Sequence, residues 1–316
     1  MQGESSKNMQ NELLKNTQTE SSKNWIRIGT ILNGPDAPRL IPQITEYGFE
    51  SFALQFWQTT GGIDLTELAH QVMEAIGDRD IIISALSVFG NVLTGHGENA
   101  DSLASWERCI DAAHLFGTNL VTGFTGRLVD QPIDASIPRF KEVFGALSKR
   151  AADRGVRLAF ENCNMGGTWD RGGWNIAHNP TAWNMMFEAL PDENLGLEWE
   201  PCHQMVNLID PIPQLRRWAP RIFHLHGKDA TVAWDIVREK GIHGPAEFVW
   251  HRTPGFGDSN WRDIITILRQ NDYQGTIDIE GFHDPVYRDD LEWTGQVSGL
   301  QYLKTSRGGT VLPCPK

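Results

Sequence analysis

The sequence predicts a single (β/α)8 barrel of the TIM type, and three observations carry that expectation. Short apolar runs rich in β-branched and aromatic residues recur eight times. Segments of helical period separate them. Four side chains of metal-ligand type, Glu161, Glu200, His226 and Glu280, each stand at the end of one of the last four runs, separated by 39, 26 and 54 residues. Spacings that wide exclude a local motif. A parallel barrel gathers consecutive strand ends at one rim and would make the four neighbours.

The runs are 26–32 (IRIGTIL), 49–56 (FESFALQF), 81–89 (IIISALSVF), 119–125 (NLVTGFT), 156–163, 195–202, 222–227 and 275–281. They are bounded by Gly, Asp or Asn and are apolar on both faces, as strands covered by helices should be. Between them LTELAHQVMEAIG, ENADSLASWERCIDAAHLFG and IPRFKEVFGALSKRAADRG read as helices; the last two end at Gly117 and Gly155, where a left-handed cap favours glycine. Two stretches exceed ordinary connectors. One is NMGGTWDRGGWNIAHNP (164–180) after the fifth run; the other runs from Ala230 to Asn260 after the seventh and includes WHRTPGFGD. Both are expected to be binding loops on the catalytic face. Residues 25–305 are thus assigned to the barrel, 1–24 to a disordered polar extension and 306–316 to a C-terminal tail.

Composition narrows the function classes. The chain has 316 residues, 28 Lys and Arg against 40 Asp and Glu, and a net charge of −12, which repels nucleic acid. There is no apolar run of about 20 residues to span a membrane, and the N-terminus lacks the apolar stretch of a secretory signal; a cytoplasmic address is expected. The cysteines, Cys109, Cys163, Cys202 and Cys314, have no paired spacing and read as reduced, packed thiols.

Three carboxylates and one imidazole make a hard oxygen-and-nitrogen shell suited to a divalent metal. An acid within an apolar strand is costly unless paired or metal-bound. Glu198, His224 and Asp278 each stand two positions before a proposed ligand, on the same strand face and one layer deeper; the outer residue of each pair is assigned to the metal.

These boxes resemble the sugar phosphate isomerase/epimerase family with the xylose-isomerase-like TIM barrel, a group that includes ketose 3-epimerases, inosose dehydratases and apurinic-site endonucleases. The matching segments are Glu161-Asn162, the EPCH box at 200–203, the HGKD box at 226–229 and Glu280, and the likeness covers about residues 25–305. The resemblance implies one divalent ion (manganese first, with cobalt, magnesium or zinc as alternatives) held by Glu161, Glu200, His226 and Glu280. Its EPCH box departs from the family pattern, which begins with aspartate. In ketose 3-epimerases the residues similar to Glu161 and Glu280 are also proton carriers, so the expected activity is isomerisation or epimerisation of a sugar or keto-sugar through an enediolate. His203 is expected, by the same resemblance, to contact a substrate oxygen.

Arg252 is a candidate grip for a hydroxyl or anionic group, and Lys228 for substrate or, paired with Asp229, for bracing the rim. Trp57, Trp169, Trp174 and Phe256 could stack on a sugar face; His96 and His178 are further rim candidates. A small carbohydrate is the expected partner, with rim aromatics suited to a homodimer contact. Two other outcomes stay open. The same enolisation becomes elimination of water or an aglycone from a keto-inositol or 3-keto-glycoside if a leaving group sits on the next carbon, and a non-catalytic sugar-binding barrel would keep the same ligands.

Overall fold

The computed structural model describes residues 26–94, 100–281 and 283–308. The expected N-terminal extension, His96, Cys314 and residues 309–316 of the expected tail lie outside the described residues; the last helix, Glu292–Arg307, carries 306 and 307.

Eight parallel strands close into a barrel. In chain order they are β1 (Arg27–Asn33), β2 (Ser51–Trp57), β3 (Ile82–Phe89), β4 (Leu120–Gly123), β5 (Arg157–Glu161), β6 (Leu195–Trp199) and β7 (Ile222–Gly227), with β10 (Thr276–Ile279) closing the ring between β7 and β1. All eight expected strands are present, most with slightly tighter bounds. Helices wrap the outside, and the principal core lies between the two layers. There Phe144 packs edge-on against Phe160 at 4.8 Å and against Trp106 at 5.4 Å. Of the two glycine ends expected, Gly117 adopts a left-handed φ of 70° directly after a 3-10 turn, whereas the helix Ile133–Ala152 stops before Gly155, which is left-handed (φ 67°) in the turn that follows.

Alternate residues of each strand point into the barrel. Ile31, Ala53, Ala85, Leu120 and Ala159 meet inside it. Three of these are alanines, which leaves the axis open to the longer polar side chains of β6, β7 and β10.

The stretch from 230 to 260 is more ordered than a plain loop. Β-strands β8 (Asp229–Val232) and β9 (Val249–Arg252) form an antiparallel ribbon, with a helix at Trp234–Lys240 between them. Sequence alternation hid this ribbon because each strand has only four residues.

Candidate metal centre and active site

The four expected ligands converge. Glu161 is the last residue of β5, His226 belongs to β7 and Glu280 follows β10 directly. Glu200 keeps extended geometry (φ −145°, ψ 148°) past the end of β6 because Pro201 starts the next helix. One ligand atom from each lies within 4.8 Å of the others, and all four side chains are buried. His226 Nδ1 is 3.4 Å from Glu161 Oε1 and 3.2 Å from Glu280 Oε2, while its Nε2 is 3.0 Å from Glu198 Oε1. These approaches lack hydrogen-bond geometry: both His226 nitrogens, both Glu200 oxygens and Glu280 Oε2 are buried with no hydrogen-bond partner. Buried polar atoms are nearly always satisfied, so such a cluster needs an explanation.

The electrostatics follow from packing three acids and a histidine into one buried cluster. Burial pushes the Glu161 carboxyl up to about 7, offset in part by His226. Burial pushes Glu200 up to about 8, with Lys228 opposing and Glu280 adding to the rise. Burial also opposes charge on Glu280, but Lys228 and His226 outweigh it and hold that carboxyl well below its usual range. Lys228 donates to Glu280 Oε1 at 2.6 Å, and neighbouring Glu200 and Glu280 overcome burial to keep its ammonium charged. His203, whose Nε2 is 2.8 Å from Glu200 Oε1 and 3.4 Å from Lys228 Nζ, is driven down to about 3 by burial and then by the lysine; it is neutral near pH 7.

A cavity of about 330 Å³ opens beside the cluster, with Glu161, His226, Lys228 and Glu280 on one side and Trp57, Phe89, Phe124 and Met165 on the other. Trp57 is 56% exposed and packs against Trp174 at 5.6 Å. A larger cavity of about 540 Å³ lies at the opposite barrel mouth, among the strand starts Ile82, Leu120, Arg157 and Thr276. We place the site in the smaller one, because catalytic groups of such barrels stand at the C-terminal strand ends.

Other expected residues lie farther out. Arg252 Nε pairs with Asp284 at 3.1 Å, its guanidinium faces the Phe256 ring, and Phe256 stacks on Tyr287 at 4.3 Å. None of these lines the cavity. Trp169 packs against the main core. His178 is buried with both ring nitrogens unpartnered and, through burial and then Arg127, driven down to about 4. The expected Lys228–Asp229 brace does not form. Adjacent residues leave the chain on opposite sides, so Lys228 points into the barrel while Asp229 accepts from Ser259 N, Ala230 N and Trp261 Nε1.

Three residues that hold the site were given no role by the sequence, although Asn162 stood within the matching Glu161-Asn162 segment. Asn162 clamps the Glu200 backbone, donating to its carbonyl at 2.9 Å and accepting from its N–H at 2.8 Å, so the strand ladder continues through a side chain. Asn175, from the 164–180 loop, donates to the Glu161 and Cys163 carbonyls, both at 2.8 Å. Fully buried Arg127 donates to the carbonyls of Gln131, Thr168 and Trp169, fastening that loop to the barrel. The Glu-Asn and Trp-Asn pairs were the available signals for the asparagines; Arg127 left none.

A model of the xylose isomerase-like TIM barrel family matches residues 41–297, and the chain belongs to that family. It is 28% identical over 166 residues to an inosose dehydratase of Clostridium botulinum (strain Alaska E43 / Type E3), covering 50% of this chain and 50% of that protein. The chain thus matches about half the length of this curated relative. Among solved structures, a 3-keto-D-glucoside 4-epimerase from E. coli aligns at TM-score 0.65 and 15% identity, covering 89% of this chain and 100% of that one. A xylose isomerase domain protein from Planctomyces limnophilus aligns at TM-score 0.68 and 17% identity, covering 90% and 98%. Those two likenesses are of fold. Sugar epimerases and dehydratases are among the proteins this chain resembles.

Proposed function

We propose that this member of the xylose isomerase-like barrels is a divalent-metal-dependent enzyme that moves a proton at the carbon beside a sugar or keto-sugar carbonyl, with epimerisation or isomerisation as the outcome. The observation that carries this reading is the buried set of Glu161, Glu200, His226 and Glu280 with ligand atoms within 4.8 Å of one another, in which Glu200, His226 and Glu280 hold atoms with no hydrogen-bond partner. Their chemistry, three carboxylates and one imidazole, fits an ion such as Mn2+. Such an ion supplies Lewis acidity that acidifies the C–H next to the substrate carbonyl.

The remaining work falls to side chains of the chain. Glu280, kept ionised by Lys228, is the carboxylate suited to accept the proton. Glu161, from a strand on the other side of β6 and β7, can return one to the opposite face of the carbon, which inverts it. Lys228 holds Glu280 Oε1 and so fixes the orientation of its carboxylate. Neutral His203 does not line the cavity; with Nε2 2.8 Å from Glu200 Oε1 it is suited to orienting that carboxyl, not to the substrate contact expected from sequence. The aromatic side of the cavity excludes water and offers Trp57 to an apolar sugar face.

A second reading keeps these residues and ends in loss of a group from the next carbon; the 28% identity to an inosose dehydratase favours it. The test is solvent-deuterium incorporation into ketoses, keto-inositols and 3-keto-glycosides by Mn2+-loaded protein, followed by NMR. Exchange beside the carbonyl that disappears in Glu280→Gln supports the reading, and the products separate inversion from elimination. Metal-loaded protein that exchanges no proton in any of these would overturn it.

A further inference from the structure

We propose that Glu198, His224 and Asp278 form a positioning stack beneath the metal ligands, with Glu198 setting the His226 ring so that Nδ1 is the nitrogen offered to the ion. This rests on the metal reading above. Glu198 Oε1 accepts from His224 Nδ1 at 2.8 Å and lies 3.0 Å from His226 Nε2. With Nε2 turned to Glu198, His226 Nδ1 faces Glu161 and Glu280 at 3.4 and 3.2 Å. Flipping the ring would break that arrangement, because Glu198 would then face a ligating nitrogen.

Glu198 is itself held. His224 joins it to Asp278, whose Oδ2 lies 2.6 Å from His224 Nε2. Asp278 also accepts from Ser51 Oγ at 2.5 Å, Ser84 Oγ at 2.6 Å and Thr276 Oγ1 at 2.8 Å. The stack therefore runs from the ligand on β7 through β6 to hydroxyls on β2, β3 and β10. All three of its members are buried. β1 makes room for it with Gly29, where a Cβ would collide with Asp278 Oδ1 and with Ser51. A carboxylate that fixes the ring of a ligating histidine sets both its tautomer and its basicity.

Glu198, His224 and His226 also bring donor atoms within 4.8 Å and could be read as a second ion site. Both His224 nitrogens, however, are already engaged by carboxylates. The geometry assigns this trio to support, with one ion per chain.

The test uses the full chain stripped with chelator and titrated with Co2+ and Mn2+, read by calorimetry and by the visible Co2+ spectrum. Wild type should bind one ion. Glu198→Ala should bind about 10–100-fold more weakly and, once saturated, show a shifted Co2+ spectrum, a change that mere loss of stability would not cause. Glu198→Gln keeps the shape and one acceptor oxygen, and should show the same changes more weakly; it decides the matter if the alanine variant does not fold. Wild-type affinity and spectrum in the folded Glu198 variants would overturn the stack. Two ions in wild type falling to one in Glu198→Gln would overturn it in favour of a second site. Failure of the metal reading looks different: wild type itself takes up no Co2+, or Glu280→Gln binds as well as wild type.

Discussion

Replacing Lys228 with methionine tests the balance of charge at the barrel rim. Lys228 is 1% exposed and stands among Glu161, Glu200 and Glu280, with its ammonium 2.6 Å from Glu280 Oε1. Methionine keeps most of the stem's packing and removes the cation. Taking away one partner of a buried pair leaves an uncompensated charge and costs about 3–5 kcal/mol. The sign with pH follows from Glu280. Its folded pKa lies well below the ordinary glutamate value of 4.5, so the pair's contribution is full above that value and fades as pH falls through the folded pKa. Urea unfolding of chelator-treated protein at pH 7.5 and at pH 4 measures this, and the gap between variant and wild type should narrow at the lower pH. Adding Mn2+ at 100 times its Kd should return about 2.7 kcal/mol to either protein that still binds it. A metal-free variant within about 1 kcal/mol of wild type at pH 7.5 would refute the reasoning, since a loss that small belongs to ordinary substitutions.

Metal uptake should release protons, because Glu161 and Glu200 titrate near 7 and 8 in the metal-free site; apparent affinity should climb from pH 6 to pH 8 and then level off, and calorimetry in two buffers of different ionisation enthalpy would expose a pH-independent uptake as a contradiction. These raised values also mean that the two carboxyls favour the metal-free fold most below about pH 4.5, with that contribution draining away as pH rises through 7 and 8. Asn162→Ala removes both hydrogen bonds to the Glu200 backbone, so it should cost about 1–3 kcal/mol of stability and weaken Mn2+ binding; unchanged binding would show that Glu200 needs no such clamp. Arg127→Ala frees the carbonyls of Gln131, Thr168 and Trp169, and trypsin should then cut after exposed Arg171 far faster than in wild type, with equal cleavage rates counting against the fastening role.

Much of this architecture was legible because strand and helix periods are local properties of the chain. The eight apolar runs needed only composition and spacing, and Glu161, Glu200, His226 and Glu280 were legible because an acid or imidazole at the end of an apolar run is conspicuous. What escaped was pairing across the barrel. Lys228 reaches Glu280 across 52 residues and Arg252 reaches Asp284 across 32. No periodicity encodes such choices, so Asp229, adjacent in sequence, looked like the natural partner of Lys228. Arg127 was silent for the same reason: its partners are backbone carbonyls, which carry no residue signature. The β8–β9 ribbon escaped because four residues per strand are too few to establish alternation.

The contrast between two polar layers gives the metal reading its physical basis. In the lower layer most demands are met within the chain: both nitrogens of His224 face carboxylates, and Asp278 collects three hydroxyl donors besides, leaving Glu198 Oε2 as the atom without a partner. That layer is nearly complete by itself, although it is as deeply buried as the one above. In the upper layer Glu200 has neither oxygen hydrogen-bonded, His226 has no partner at Nδ1, and Glu280 has only the oxygen that Lys228 takes. Each buried unsatisfied group costs about 1–3 kcal/mol. The same barrel therefore nearly completes one set of hydrogen bonds and leaves the next set largely open, two residues farther along the same strands. Burial alone treats both layers alike and cannot produce that difference. A divalent cation can, because it satisfies acceptors that point at a common centre and asks for no donor from the chain.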